Sequence, residues 1–206
     1  MSIIHTESAS FRALSEATAQ DWSIIERAER HYRAEYGPGA GLLTLMAAFA
    51  HIDAQGAPIN VYQHCLQTAT RALEAGADDE LVVVALFHDL PEAFSDNHHG
   101  RLAAEILAPR LSERRNWLLT HHVEFQAYHF ANHPTRDRHE RDQFAGHPYF
   151  EQTAEFCAKF DQNSFDPAYP TLPLEGFEPI VRRFFARPLA AIAPLAAKKP
   201  AAHAAS

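Results

Sequence analysis

LVVVALFHDLPEAF, residues 81–94, carries seven successive apolar residues directly into His88 and Asp89. An apolar run without polar alternation is typical of a helix that is buried on all sides. Asp78 precedes the run at a suitable position for an N-cap, so the sequence predicts a helix over residues 79–89. Because an unpaired charge in a protein interior is costly, the buried His88–Asp89 pair needs a compensating partner.

The flanking sequence also predicts helices. Apolar residues recur at spacings of three and four, alternating strand patterns are few, and we expect an all-α fold of about six to nine helices. We expect a single domain over residues 1–186, with N-terminal helices in residues 1–49 and a core of about residues 50–186. Residues 187–206, which are rich in Ala and Pro, predict a disordered tail.

The composition of the chain limits the kinds of molecule that it is expected to bind. The chain has 206 residues, 47% of them hydrophobic, and a formal net charge of -8, which disfavours binding to nucleic acid or to an anionic membrane. No apolar run has the length of a membrane span, and no secretory signal is evident. Cys65 and Cys157 do not form a disulfide or metal pattern. We therefore expect a cytoplasmic monomer or homodimer that acts on a small molecule.

Histidine is unusually frequent. Nine of the fourteen histidines lie between His88 and His147, and imidazole is the commonest transition-metal ligand in proteins. A lone buried histidine usually binds a backbone carbonyl, and a His-Asp pair often arises by chance, so the metal hypothesis depends on a larger set. Helical spacing places four further groups on apolar, inward faces: His64, His99, His122 and Asp161. Imidazole and carboxylate together suit iron, manganese, zinc or nickel.

Four segments carry a family resemblance: YQHCLQTATRALEAGADDELVVVALFHD (62–89), HGRLAAEIL (99–107), SERRNWLLTHHVEF (112–125) and FDQNSFDP (160–167). They resemble the HD-domain superfamily, and in detail its mixed-valent diiron oxygenase branch, which includes hydroxyphosphonate-cleaving oxygenases and, more distantly, myo-inositol oxygenase. The resemblance implies an HD-domain helical bundle with a dinuclear metal centre. One iron would take His64, His88 and Asp161, the other His99 and His122, with Asp89 bridging.

The resemblance also implies an activity. Two iron ions in a mixed-valent Fe(II)/Fe(III) state, with O2 as co-substrate, would cleave a C–P or C–C bond of a small hydroxylated substrate. His88, Asp89 and Glu92 are the candidate catalytic residues, and Gln126, Tyr128 and His129 are the candidate substrate-binding residues. Among neighbouring histidines, the apolar helix faces favour His99 over His98 and His122 over His121 as ligands.

The sequence departs from the phosphonate-cleaving enzymes where those enzymes hold substrate. Gln126 stands in place of a lysine and Ala158 in place of a basic residue, while Ala54 and Ala57 replace a tyrosine and a glutamate. Two other functions therefore remain open. One is a metal-dependent HD-domain phosphohydrolase for a nucleotide or another phosphate ester, with Glu92 as proton donor or acceptor and a single metal ion. The other is a sensing domain that binds a metal or ligand without catalysis.

Overall fold

The computed structural model describes residues 7–94 and 98–188, and no β-strand occurs within them. The predicted all-α fold is confirmed. The α-helices of the described residues are α1 (Ala19–Tyr36), α2 (Ala40–Ala48), α3 (Val61–Glu74), α4 (Asp79–Phe87), α5 (His99–Leu107), α6 (Glu113–Gln126), α7 (Phe150–Lys159) and α8 (Leu174–Phe185). Short 3₁₀ turns connect several of them, including Leu90–Ala93 and Asp161–Asn163.

Helix α4 lies in the centre of the structure. It packs against α3, α6 and α8, which together surround it. All residues from Val82 to Phe87 are buried, which explains why this helix has no polar face. The Asp78 carboxylate accepts a hydrogen bond from the Leu81 amide and caps the helix, as the sequence predicts.

The end of α4 differs from the prediction. The helix ends at Phe87, two residues earlier than expected, and Asp89 adopts φ -102° and ψ 0° before the 3₁₀ turn Leu90–Ala93. Pro91 lacks an amide hydrogen and cannot continue the α-helical hydrogen bonding, and it also disfavours a helical conformation at the preceding residue. The change of direction places His88 and Asp89 at the end of the central helix, facing helices α3, α5 and α6.

Helices α5, α6 and α7 form a layer beside α4, with α5 packed on α6 and α6 on α7. The segment after α7 returns across α3: Gln67 donates to the Asp166 carbonyl at 2.8 Å and accepts from the Asp166 amide at 3.2 Å. Helices α1 and α2 lie within the predicted N-terminal region, and α2 packs against α8. The single-domain boundaries stay a prediction, and residues 189–206 of the predicted tail lie outside the described residues.

None of the helices in the part of the chain that the structure describes is long and apolar enough to cross a bilayer.

Candidate metal centre

The buried polar residues predicted as ligands lie together in one cluster. Each is at most 5% exposed. They form two groups, within each of which all the potential ligand atoms are within 4.8 Å of one another, and Asp89 belongs to both. The first group contains His64, His88, Asp89 and Asp161, and the second contains Asp89, His99 and His122.

Asp89 lies between the two groups and presents a different oxygen to each. Its Oδ2 is 3.2 Å from Nε2 of both His64 and His88. Its Oδ1 is 3.2 Å from His99 Nε2 and 2.9 Å from His122 Nε2. A carboxylate in this position can bind one ion through each oxygen.

Backbone carbonyls orient three of the imidazole rings. His88 Nδ1 is 2.9 Å from the Ala85 carbonyl, and His122 Nδ1 is 2.8 Å from the Leu119 carbonyl. His64 Nδ1 is 2.9 Å from the carbonyl of Ser164, which lies beyond α7. Because a carbonyl oxygen only accepts hydrogen bonds, each Nδ1 carries a hydrogen, and Nε2 of each ring faces the cluster.

The resulting arrangement fits metal ions. The Nε2 atoms of His64 and His88 are 3.2 Å apart, and so are those of His99 and His122. Two lone pairs at this distance require a proton or a cation between them. Ligand atoms at about 2.1 Å from a common ion lie about 3.0–3.4 Å apart at angles of about 90–109°. The Nε2–Nε2 separations fall in this range.

The carboxylate of Asp161 is a further group that is suited to binding a cation. It follows α7 at the first position of the 3₁₀ turn, and its carboxylate is completely buried. Oδ1 accepts a hydrogen bond from Gln126 Nε2 at 2.9 Å and lies 3.4 Å from His64 Nε2. Oδ2 is buried with no hydrogen-bond partner among the described residues. Burying a carboxylate oxygen without a hydrogen-bond partner is energetically unfavourable, and a bound cation would compensate for it.

The same contacts shift the pKa values of the clustered histidines and carboxylates. Burial lowers the pKa of His64, but hydrogen bonds to Asp161 and Asp89 outweigh it and raise the pKa to about 10. The pKa of His88 is also raised, because the charge of Asp89 and a hydrogen bond to Asp161 outweigh burial. Burial raises the pKa of Asp89, but the histidines lower it well below its usual value. The same contacts therefore favour protonated imidazoles beside ionised carboxylates.

Metal binding should consequently release protons. His64 remains protonated up to a pKa of about 10 in the metal-free protein, whereas a coordinating imidazole is neutral. We expect at least about one proton per chain to appear on metal addition at pH 8, and the apparent affinity to rise with pH toward about 10. Metal titration calorimetry in buffers of different ionisation enthalpy measures the release. Binding without proton release would show that the imidazoles are not the ligands.

A cavity of about 500 Å³ opens onto the cluster. His64, Asp89 and His99 form part of its wall, so both groups are accessible to a small molecule. Phe165 also lines the cavity and stacks on the His64 ring with the centroids 4.5 Å apart. A cavity of this size accommodates a small organic substrate.

Of the four remaining predicted site residues, two line the cavity and two do not. Glu92 and Gln126 line the cavity. Tyr128 and His129 are not on its wall; the guanidinium of Arg141 lies 3.4 Å from the centroid of the Tyr128 ring. Their predicted role in substrate binding stays a prediction.

The neighbouring histidines differ in burial. His98 is exposed, whereas His99 turns into the cluster. His121 packs between Trp117 and Phe144. These positions are consistent with the preference for His99 and His122 over their neighbours.

Comparison with known protein families finds a match to part of the chain. A sequence model of the HD domain family matches residues 61–153. This part of the chain is similar to the HD domain family. The matched segment begins with α3 and includes all of the cluster except Asp161. No curated protein sequence matches the chain.

Three residues that support the candidate metal centre were not predicted from the sequence. Ser164 orients His64 through its backbone carbonyl, and Gln67 attaches the segment containing Ser164 to α3. These contacts join residues about 100 positions apart, so no local pattern indicates them. Gly100 is the third: it directly follows the candidate ligand His99, and a short residue at such a position was an available signal.

Gly100 allows α5 to approach α6 closely. A Cβ atom at this position would lie 2.5 Å from the Leu119 carbonyl oxygen and 3.0 Å from the His122 ring. Gly100→Ala should therefore displace His122, lower stability by about 1–3 kcal/mol and reduce metal content at the second group. Chemical denaturation and metal analysis measure the two effects. The control is Gly41→Ala, because a Cβ on that helical glycine meets nothing within 4 Å. Equal metal content in both variants would contradict this role.

Proposed function

We propose that this HD domain is a non-haem diiron oxygenase that cleaves a C–C or C–P bond of a small hydroxylated substrate with O2. The observation that carries the proposal is the position of Asp89, whose two oxygens face two separate histidine pairs. A hydrolase that uses one metal ion has no need of His99 and His122. Two buried histidines that share a carboxylate with the first group are expected if the chemistry requires a second ion.

Two groups of residues would each hold one of the two ions. The first ion would be held by His64, His88, Asp89 and Asp161, and the second by Asp89, His99 and His122. When bound, the iron pair would supply O2 activation and oxidation of the substrate. The carbonyls of Ala85, Leu119 and Ser164 fix the rings, so little reorganisation is needed when metal binds.

Glu92 and Gln126 are placed to act on a substrate in the cavity. Glu92 is exposed at the cavity wall, where partial desolvation and the nearby Asp89 carboxylate raise the pKa of its carboxyl group. A carboxyl group with a raised pKa is a stronger base, and it can accept a proton from a substrate hydroxyl and return it. Gln126 donates to Asp161 Oδ1 from the cavity wall, and its amide oxygen can accept a hydrogen bond from a hydroxyl.

The same Glu92 supports a second candidate, a metal-dependent phosphohydrolase. It lies on the cavity wall three residues after Asp89, where a carboxyl group can protonate the leaving group of a phosphate ester. The first group alone, with four potential ligands, is sufficient for one ion.

Oxygen uptake and phosphatase assays separate the two candidates. The protein is loaded anaerobically with iron and then tested for O2 consumption with a panel of small polyols and amino alcohols. The zinc-loaded protein serves as the control, because zinc does not activate O2. Substrate-dependent O2 consumption that requires iron supports the oxygenase. Hydrolysis of p-nitrophenyl phosphate with one manganese, cobalt or nickel ion, and no O2 consumption with iron, would contradict it.

A further inference from the structure

The cavity beside the metal centre includes an aromatic side chain with free surface. Phe165 lines the cavity and is 38% exposed, although its ring stacks on the imidazole of His64. Phe130, directly after the 3₁₀ turn Ala127–His129, contributes a second ring to the lining. An aromatic ring that lines a cavity and keeps part of its surface exposed is typical of a ligand-binding wall.

Most of the remaining apolar lining belongs to the segment that leads into α3. Ile52, Ala54, Ala57, Ile59 and Val61 all line the cavity. Half of the described residues in the lining are apolar, counting these five. The cavity therefore offers a continuous choice of apolar contacts to a bound molecule, in addition to its polar groups.

Hydrogen bonds to α3 hold both parts of this apolar wall in place. Asn60, the N-cap of α3, donates from its side-chain amide to the Ile52 carbonyl at 3.0 Å. Gln67 is buried and forms hydrogen bonds with both the carbonyl and the amide of Asp166, the residue after Phe165. The apolar wall is therefore formed before a ligand binds, which lowers the entropy cost of binding.

The polar part of the lining adjoins this wall at His64. Asp89 and His99 supply the metal-binding groups of the cavity, and Gln126 supplies an amide. His64 belongs to both parts, because its Nε2 lies 3.2 Å from Asp89 Oδ2 while Phe165 covers its ring. A molecule that reaches the ions thus lies beside the apolar wall.

From this arrangement we infer that the substrate is amphiphilic, with a short alkyl or aryl group attached to its hydroxylated carbon atoms. The hydroxyl groups would reach the metal-binding groups, and the apolar group would pack on Phe165 and the segment 52–61. The inference rests on the proposed function in treating this cavity as the substrate site. It goes further by assigning Phe165 as the residue that determines specificity for the apolar group.

The hydrophobic effect provides the reason. Each methylene group that is buried on an apolar wall strengthens binding by about threefold to fourfold. A hydroxyl group placed against Phe165, Ile52 and Ile59 would lose hydrogen bonds to water without gaining a partner from these side chains. The wall therefore favours a substrate that is hydroxylated only at the end that faces the ions.

Binding of homologous diols to the full-length, zinc-loaded protein tests the inference without turnover. Ligand-observed NMR gives the Kd of 1,2-propanediol, 1,2-butanediol, 1,2-pentanediol and 1,2-hexanediol, with 1,2,6-hexanetriol as the control of equal chain length. We expect the Kd to fall by about threefold for each added methylene group, and the triol to lose most of this gain. A constant Kd across the series, or a triol that binds as tightly as 1,2-hexanediol, would overturn the inference.

The cobalt-loaded protein reports where the diol lies, because a paramagnetic ion broadens the signals of nearby protons. The protons beside the two hydroxyl groups of 1,2-hexanediol should broaden more than those of the terminal methyl group. Greater broadening of the methyl group, or equal broadening of all protons, would contradict the proposed orientation.

A variant of the apolar wall tests the role of Phe165. Phe165→Ala should raise the Kd of 1,2-hexanediol by about tenfold and that of 1,2-propanediol by less than about twofold, whereas Phe165→Leu should retain most of the affinity. Tyr32→Ala is the control, because Tyr32 is also a partly exposed aromatic residue but lies on α1 and does not line the cavity. An equal loss for both diols in Phe165→Ala, or no loss for either, would contradict a role in specificity.

The two proposals fail separately. Absence of O2 consumption in the iron protein, together with affinity that rises with alkyl chain length, would contradict the oxygenase and leave the inference standing. O2 consumption with a substrate whose affinity is independent of chain length would do the reverse.

Discussion

Replacing His99 by alanine should leave one metal ion per chain and abolish O2 consumption. His99 Nε2 lies 3.2 Å from both Asp89 Oδ1 and His122 Nε2, so the second group would lose one of its three potential ligands. Removing a residue that hydrogen-bonds to a metal ligand weakens metal binding about 10–100-fold. Removing the ligand itself should weaken metal binding further. Metal analysis gives the stoichiometry, and EPR spectroscopy reports whether a spin-coupled iron pair remains.

The adjacent His98→Ala variant is the matched control, since His98 is exposed and outside both groups. It should retain two ions and wild-type O2 consumption. If His99→Ala retained both ions and its activity, the second group would have no role. Retained p-nitrophenyl phosphate hydrolysis in His99→Ala would favour the phosphohydrolase instead.

Asp89→Asn should have the largest effect of any single change, because Asp89 belongs to both groups. Removing its charge leaves the buried imidazoles without their shared anionic partner. We expect metal affinity to fall more than about 100-fold at both sites. Breaking a buried ion pair by removing one partner also lowers the stability of a folded protein by about 3–5 kcal/mol. Denaturation of the metal-free protein and metal titration measure the two losses.

Asp142→Asn provides the comparison, because it removes an equal charge from an exposed position. Its metal affinity and stability should stay close to those of the wild type. An Asp89→Asn protein that bound two ions with unchanged affinity would show that the carboxylate does not bridge the two groups.

Much of the fold was predictable because its central helix has an unusual sequence. The run of residues 81–87 without a polar side chain identified a helix surrounded by others, and Asp78 marked its beginning. Its end was less predictable, because His88 and Asp89 continue the helical pattern while Pro91, two residues later, stops the hydrogen bonding. Helical periodicity alone cannot indicate the exact residue at which a chain leaves the helix.

The candidate ligands were predictable for a different reason. Buried polar side chains on apolar helix faces are rare, so His64, His99 and His122 stood out against their surroundings. The sequence could not indicate how these side chains are oriented. The carbonyl of Ser164 meets His64 across 100 positions, and the cavity wall combines segments that are distant in sequence. Such contacts depend on the packed fold and have no local signature.

Iron content is the most direct measurement of the central claim, that paired carboxylates and imidazoles hold two ions around Asp89. Protein purified without added metal is analysed for metals by mass spectrometry, in parallel with the Asp89→Asn variant. We expect about two irons per chain in the wild type, because both donor groups are complete, and far less metal in the variant. A single ion per chain, or no transition metal after reconstitution with ferrous iron, would contradict it.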